Sequence, residues 1–207
     1  MRVFGIDTTR KVAKIIIYDD ENNIKYVLAM GDGVKHSEGL FLYIEKALFE
    51  NKLDIKDFDY YASIVGPGSF TGIRVGMATI KGFNKVANKK VLPINTFEIV
   101  SKYIGSGVML LSSTSTTCYY GEIKKGVIID TGVVEKTAIG EKFVGKKLFA
   151  LREEQNAMGL EYDNIEYIES LDDMYFDAIC TSIQGEEKEF VPYYLQLSQA
   201  ERNLKNE

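Results

Sequence analysis

A duplicated α/β fold is what this sequence predicts, on three observations. The chain opens with three short apolar runs parted by tight polar turns, the pattern of a strand meander. Helical periodicity then takes over, once before and once after a glycine-rich turn at residues 66–72. Beyond Gly105-Ser106-Gly107 the same plan starts again.

The elements follow in order. Val3 to Ile6 reads as a strand ending at Asp7-Thr8-Thr9, Val12 to Tyr18 as a second strand, and Ile24 to Met30 as a third after the turn 19–23. His36-Ser37-Glu38 opens a helix from about Ser37 to Asn51, with Ser37 placed to cap it. Tyr60 to Val65 is a strand. A second helix runs from the glycine-rich turn to about Asn88, because Ile73, Val75, Met77, Ile80 and Phe83 recur with helical spacing. Ser69 or Thr71 can serve as its N-cap, and Gly66 and Gly68 can take positive φ. Val91 to Ile94 is a short strand, and Thr96 caps a helix ending near Tyr103. The second half holds strands at Val108 to Leu111, Thr117 to Ile123 and Val127 to Val134. Residues 136–190 show no periodicity that assigns elements. The end reads as an extended entry, Val191 to Gln196, followed by a helix from Leu197 to Asn206. Two subdomains result, 1–104 with the two long helices and a smaller 105–207. The actin-like, ribonuclease-H-like (ASKHA) fold is built in this way.

Composition narrows the function. Hydrophobic residues make up 45% and charged residues 27%, ordinary for a water-soluble globular protein, and no apolar run reaches membrane-spanning length. A net charge of −5 and five unclustered arginines supply no basic stripe for gripping nucleic acid. His36, the only histidine, excludes a multi-histidine metal centre, so no metal is expected. Cys118 and Cys180 lack metal-ligand spacing and point to reduced thiols in the cytoplasm.

Two sites stand out. A strand-to-helix turn of Gly66, Gly68, Ser69 and Gly72 aims backbone N–H groups at one point and favours an anion, although a corner needing glycine for close packing explains the same residues. No Lys-Ser or Lys-Thr follows, so it is not a Walker A loop. Actin-like kinases bracket ATP with two Asp-x-Gly-Thr/Ser hairpins, the glycine exposing amides to phosphate and the aspartate orienting metal-bound water. Here the first hairpin reads Asp7-Thr8-Thr9, with the acid but no glycine, and the second, Ser112 to Thr117, has neither. Phosphoryl transfer is therefore not expected, and weak ATP or ADP binding, in the cleft or at a shared interface, stays open. The second site is a surplus of apolar surface. On a helical wheel Ile73, Val75, Met77, Ile80, Phe83, Val86 and Ala87 cover more than half of the second helix, and Leu42 and Phe49 project from the first. Such a surplus calls for a partner, met through Leu42, Phe49, Phe70, Thr71, Ile73, Arg74 and Met77.

Residues Gly66-Pro67-Gly68-Ser69-Phe70-Thr71-Gly72-Ile73-Arg74-Val75-Gly76 resemble the signature of the TsaB (YeaZ) family. Gly5-Ile6-Asp7-Thr8-Thr9, His36-Ser37-Glu38, Pro93 to Glu98 and Pro192 to Gln196 resemble it too. The resemblance implies an actin-like fold with a degenerate nucleotide cleft. It further implies a non-catalytic dimerisation subunit of the machinery that makes threonylcarbamoyladenosine in tRNA. Such a subunit pairs through its N-terminal helices with the catalytic paralogue TsaD, or with itself when alone; the ATPase TsaE joins the assembly, and tRNA is met only through the complex. Family members often carry Asp-Ala-Arg in the second half, where this chain has Ser112-Ser113-Thr114, so roles attached to that acid or arginine do not transfer. The competing expectation is a small actin-like kinase or acyl-phosphate transferase acting alone through Asp7.

Overall fold

The computed structural model describes residues 1–160 and 164–196, the side chains of 36 and 37 excepted. The chain forms two compact units. One comprises Met1–Thr96 and Tyr175–Tyr193; the other comprises Phe97–Met174 and, of the described residues, 194–196.

In the first unit β1 (Arg2–Asp7), β2 (Lys14–Asp19) and β3 (Ile24–Ala29) form the expected antiparallel meander. Helix α1 (His36–Asn51) leads to β4 (Tyr60–Gly66), and α2 (Phe70–Ala87) leads to β5 (Lys90–Asn95). Both crossovers return the chain parallel to the preceding strand, giving the order β3-β2-β1-β4-β5. Strand β1 is buried on both faces, which is why it reads as an unbroken apolar run. Phe4, Ile6, Ile15 and Ile17 meet Leu40, Ile44 and Ala47 of α1 and Ile80 of α2 in one core. Phe4 packs its ring 5.4 Å from Phe58 and 6.0 Å from Phe83. Lys35 holds the N-cap position of α1 without a side-chain cap, so Ser37 lies inside the first turn. Ser69 does cap α2, its hydroxyl accepting from the Gly72 N–H. Asn88 closes α2 in the left-handed conformation, which asparagine tolerates.

Asp19 anchors the start of the meander. Its buried carboxylate accepts from Arg2 Nε at 2.6 Å and from Asn22 Nδ2 at 2.6 Å. Burial alone would raise its pKa, but the Arg2 and Asn22 hydrogen bonds outweigh it and hold the group at about 2. A folded pKa below the ordinary 3.8 means stability that is complete above that value and lost as pH falls towards 2. We expect Asp19→Asn to cost about 2 kcal/mol at neutral pH and to flatten the acid limb of the stability curve, read by urea unfolding across pH 2 to 6. An unchanged acid limb would show that Asp19 is not the titrating group.

In the second unit α3 (Thr96–Ile104) precedes the meander β6 (Gly107–Ser112), β7 (Thr117–Lys124) and β8 (Val127–Glu135). Short α4 (Ile139–Lys142), β9 (Leu148–Leu151), short α5 (Gln155–Met158) and β10 (Ile165–Ile168) follow. The order β10-β9-β6-β7-β8, with β6–β9 and β9–β10 parallel, repeats the first sheet. Where the first unit has crossover helices of 16 and 18 residues, the second has helices of four. That is where the second half has shrunk. Val108, Leu110, Cys118, Phe143 and Leu148 fill its core, and burial pushes the Cys118 thiol up to about 11, as suits an inert core residue. Gly121 leaves room for Phe97, whose ring a Cβ would meet at 2.6 Å.

The boundary differs from the expected 104/105. Helix α3 counts with the second unit from Phe97, because its first turns cover the β7 face at Gly121. Helix α6 (Asp172–Gln184) and the chain to Tyr193 return to the first unit from Tyr175 onward. The helix expected over 197–206 lies outside the described residues.

Candidate functional site

The hairpin after β1 and the turn between β4 and α2, some sixty residues apart in sequence, are packed into one joint. Ser69 N–H donates to the Thr9 carbonyl at 2.9 Å, and the Thr8 hydroxyl donates to the Gly72 carbonyl at 2.6 Å. The glycines make this approach possible. A Cβ on Gly68 would stand 2.6 Å from the Thr9 oxygen, and one on Gly72 would run into the Thr8 carbonyl oxygen. Gly66 alone of the turn has positive φ, +114°, and a Cβ there would lie 2.6 Å from the Tyr193 carbonyl. Gly68, which could take positive φ, does not; closeness to Thr9 is what excludes a side chain there.

Asp7 sits wholly buried at the centre of the joint. One carboxylate oxygen accepts from Thr9 N–H at 2.8 Å and Thr9 Oγ1 at 2.7 Å, and the other accepts from the Tyr175 hydroxyl at 2.6 Å. Tyr175, from α6, is also buried, and no sequence pattern linked it to Asp7. In the second unit the corresponding hairpin is likewise tied within its own unit: Ser112 N–H donates to Glu154 Oε2 at 2.6 Å, and the Thr114 hydroxyl accepts from Thr117 N–H at 3.1 Å.

The apolar surplus of α2 divides in two. Ile73 and Met77 are 1% and 4% exposed and pack with Val65 against Phe190 and Tyr193. Their side chains, expected to meet a partner, therefore offer it no exposed surface. The stretch that follows α6 covers them, with Tyr193 N–H donating to the Val65 carbonyl at 2.8 Å and Lys81 Nζ 5.6 Å from the Phe190 ring centre. The other flank is open. Leu42 is 65% and Phe49 85% exposed, as expected, and so are Phe41 at 61% and Val86 at 78%. Between the helices runs a groove of about 450 Å³, lined by Leu40, Phe41, Val75, Ala78, Thr79, Gly82 and Phe83. Thr71 and Arg74 lie exposed on the first turns of α2, and Phe70 is half-buried. Phe41 was missed because it borders the core stripe of α1; its ring meets Phe83 edge-on at 6.3 Å.

A family model described as TsaD, tRNA N6-adenosine threonylcarbamoyltransferase, matches residues 33–185. The chain belongs to this family. Its likeness runs along the TsaB/YeaZ branch: the Buchnera aphidicola protein named tRNA threonylcarbamoyladenosine biosynthesis protein TsaB is 23% identical over 82% of this chain and 83% of its own length. A Thermodesulfovibrio yellowstonii tRNA N6-adenosine threonylcarbamoyltransferase is 30% identical over 47% of this chain, which spans only 34% of that enzyme. Among solved structures, YeaZ from Pseudomonas aeruginosa superposes with a TM-score of 0.68 at 14% identity, covering 94% of this chain and 99% of that one. The fold is the actin-like one, with one five-stranded sheet order repeated in the two units. No described helix is long and apolar enough to cross a membrane.

Proposed function

We propose that this chain acts in tRNA threonylcarbamoyladenosine biosynthesis as an accessory subunit. It docks on a TsaD-type transferase through the open α1–α2 face and performs no group transfer itself. The observation that carries the reading is the cluster of Phe41, Leu42, Phe49 and Val86 facing solvent around an apolar groove. A surface of that kind marks an interface when it is contiguous. The family model matched by this chain spans both helices, so docking would set two versions of one helix pair against each other. A second copy would take the same place when the chain is alone, and TsaE and tRNA would be met within the assembly. The Asp7 joint supports the absence of phosphoryl transfer. Both carboxylate oxygens already accept from protein donors, and Thr9 stands at the glycine position of the Asp-x-Gly-Thr/Ser pattern, so this hairpin offers neither the free acid nor the open amide that phosphoryl transfer from ATP would use.

The test uses Phe49→Asp and Val86→Asp, both on solvent-facing side chains whose replacement leaves the core intact. Mixed with the transferase of the same genome, each is expected to weaken the complex by about tenfold or more, measured by light scattering on size-exclusion. Two folded variants that bind as tightly as the parent chain would overturn the reading.

A further inference from the structure

We infer that α2 holds a socket for one large apolar side chain of a partner helix, with Gly82 as its floor. This deepens the docking reading above and rests on it. Helix α2 contains three glycines, and two of them are explained within the chain. A Cβ on Gly72 would run into the Thr8 carbonyl oxygen, and one on Gly76 into the Thr8 hydroxyl. Gly82 is different. It lies in the body of the helix, where glycine is the least favourable residue after proline, and a Cβ there would meet nothing within 4 Å. At about 100° per residue it stands about 180° around the helix from Ile73 and about 160° from Ile80, both of them buried. The side of a surface helix that faces away from the core is ordinarily polar. Here Val75, Ala78, Thr79 and Val86 surround the glycine instead.

Val75, Ala78, Thr79 and Gly82 stand at positions i, i+3, i+4 and i+7, and all four line the groove. Four residues so spaced form the hole that receives a knob when two helices pack side by side. Val75, Thr79, Gly82 and Val86 also recur at intervals of four, three and four, the spacing of a coiled-coil seam, on the side of α2 opposite its buried stripe. Ala78 and Gly82 keep the hole deep. Leu40, Phe41 and Phe83 wall it on the α1 side, the two rings meeting edge-on at 6.3 Å. The Thr79 hydroxyl donates to the Val75 carbonyl at 2.9 Å, so its proton needs no partner from an occupant. An apolar cavity of about 150 Å³ takes up benzene. The groove measures about 450 Å³, ample for the side chain of a leucine, methionine or phenylalanine. A helix of the transferase supplies it, because the socket is continuous with the docking face: Phe41, exposed, forms its wall, and Val86, exposed, follows one turn beyond Gly82.

The experiment fills the socket by degrees with Gly82→Ala, Gly82→Leu and Ala78→Leu, each measured for complex formation with the transferase of the same genome and, alone, for urea unfolding. Gly82→Ala is expected to weaken the complex by about threefold and each leucine by about tenfold or more. The free Gly82 variants should unfold at higher urea than the parent, and Ala78→Leu close to it. Stability gained while binding is lost separates a socket from a residue that the fold itself needs. Two leucine variants that bind as the parent does overturn the inference, and the docking reading stands if Phe49→Asp and Val86→Asp still weaken the complex. If those two also bind normally, both readings fall. Gly82→Ala as damaging as Gly82→Leu overturns the socket too, since that result belongs to helix backbones touching at Gly82 with no side chain between them. A loss confined to self-association, with the transferase complex unaffected, likewise overturns it.

Discussion

Gly72→Ala is expected to leave the chain largely unfolded. The new methyl would enter the space of the Thr8 carbonyl oxygen, a backbone atom that cannot rotate away. Moving it would break the Ser69–Thr9 hydrogen bond and shift the hairpin that holds Asp7. Overpacking against fixed backbone, with a buried polar network disturbed, costs more than about 4 kcal/mol, a large part of the 5–15 kcal/mol that stabilises a typical domain. The control lies ten residues on in the same helix. A Cβ on Gly82 meets nothing within 4 Å, so Gly82→Ala should stabilise the free chain by up to about 1 kcal/mol through helix propensity. Urea unfolding of the two variants checks both signs. A Gly72→Ala protein within about 1 kcal/mol of the parent would mean that close packing is not what the turn requires.

The comparison between these glycines shows what sequence can and cannot tell. Three glycines and a proline between a strand and a helix announce a corner; the sequence does not say that Thr8 and Thr9 are the atoms that fill it. Helix α6, thirteen residues long, went unassigned, whereas the meanders and helices α1 and α2 were legible because alternating and helical spacings run over enough residues to be counted. Strands β9 and β10 and helices α4 and α5 were not, since four residues establish no period. Burial of Ile73 and Met77 could not be foreseen for a different reason. Periodicity reports that a face is apolar, and the covering residues, Phe190 and Tyr193, arrive more than a hundred positions later. Phe49, by contrast, projects away from the core stripe of its own helix, and it is exposed.

Asp7→Ala and Tyr175→Phe should destabilise the chain and do so non-additively. Removing the carboxylate strands the buried Tyr175 hydroxyl and the Thr9 donors, and should cost about 3 kcal/mol; Tyr175→Phe leaves one carboxylate oxygen short of its donor and should cost about 2 kcal/mol. Because the two share one hydrogen bond, the double variant should lose about 1–2 kcal/mol less than the sum. The same pair separates the accessory subunit from the kinase reading. In a phosphoryl-transfer site Asp7 would orient metal-bound water, so its loss would abolish ATP turnover with little effect on folding. A carboxylate engaged by three protein donors has the opposite signature: stability falls, and the phosphate released from ATP stays at the level of the parent chain. Urea unfolding alongside a phosphate-release assay distinguishes the two. An Asp7→Ala protein as stable as the parent, yet stripped of an ATPase the parent possesses, would assign Asp7 to catalysis.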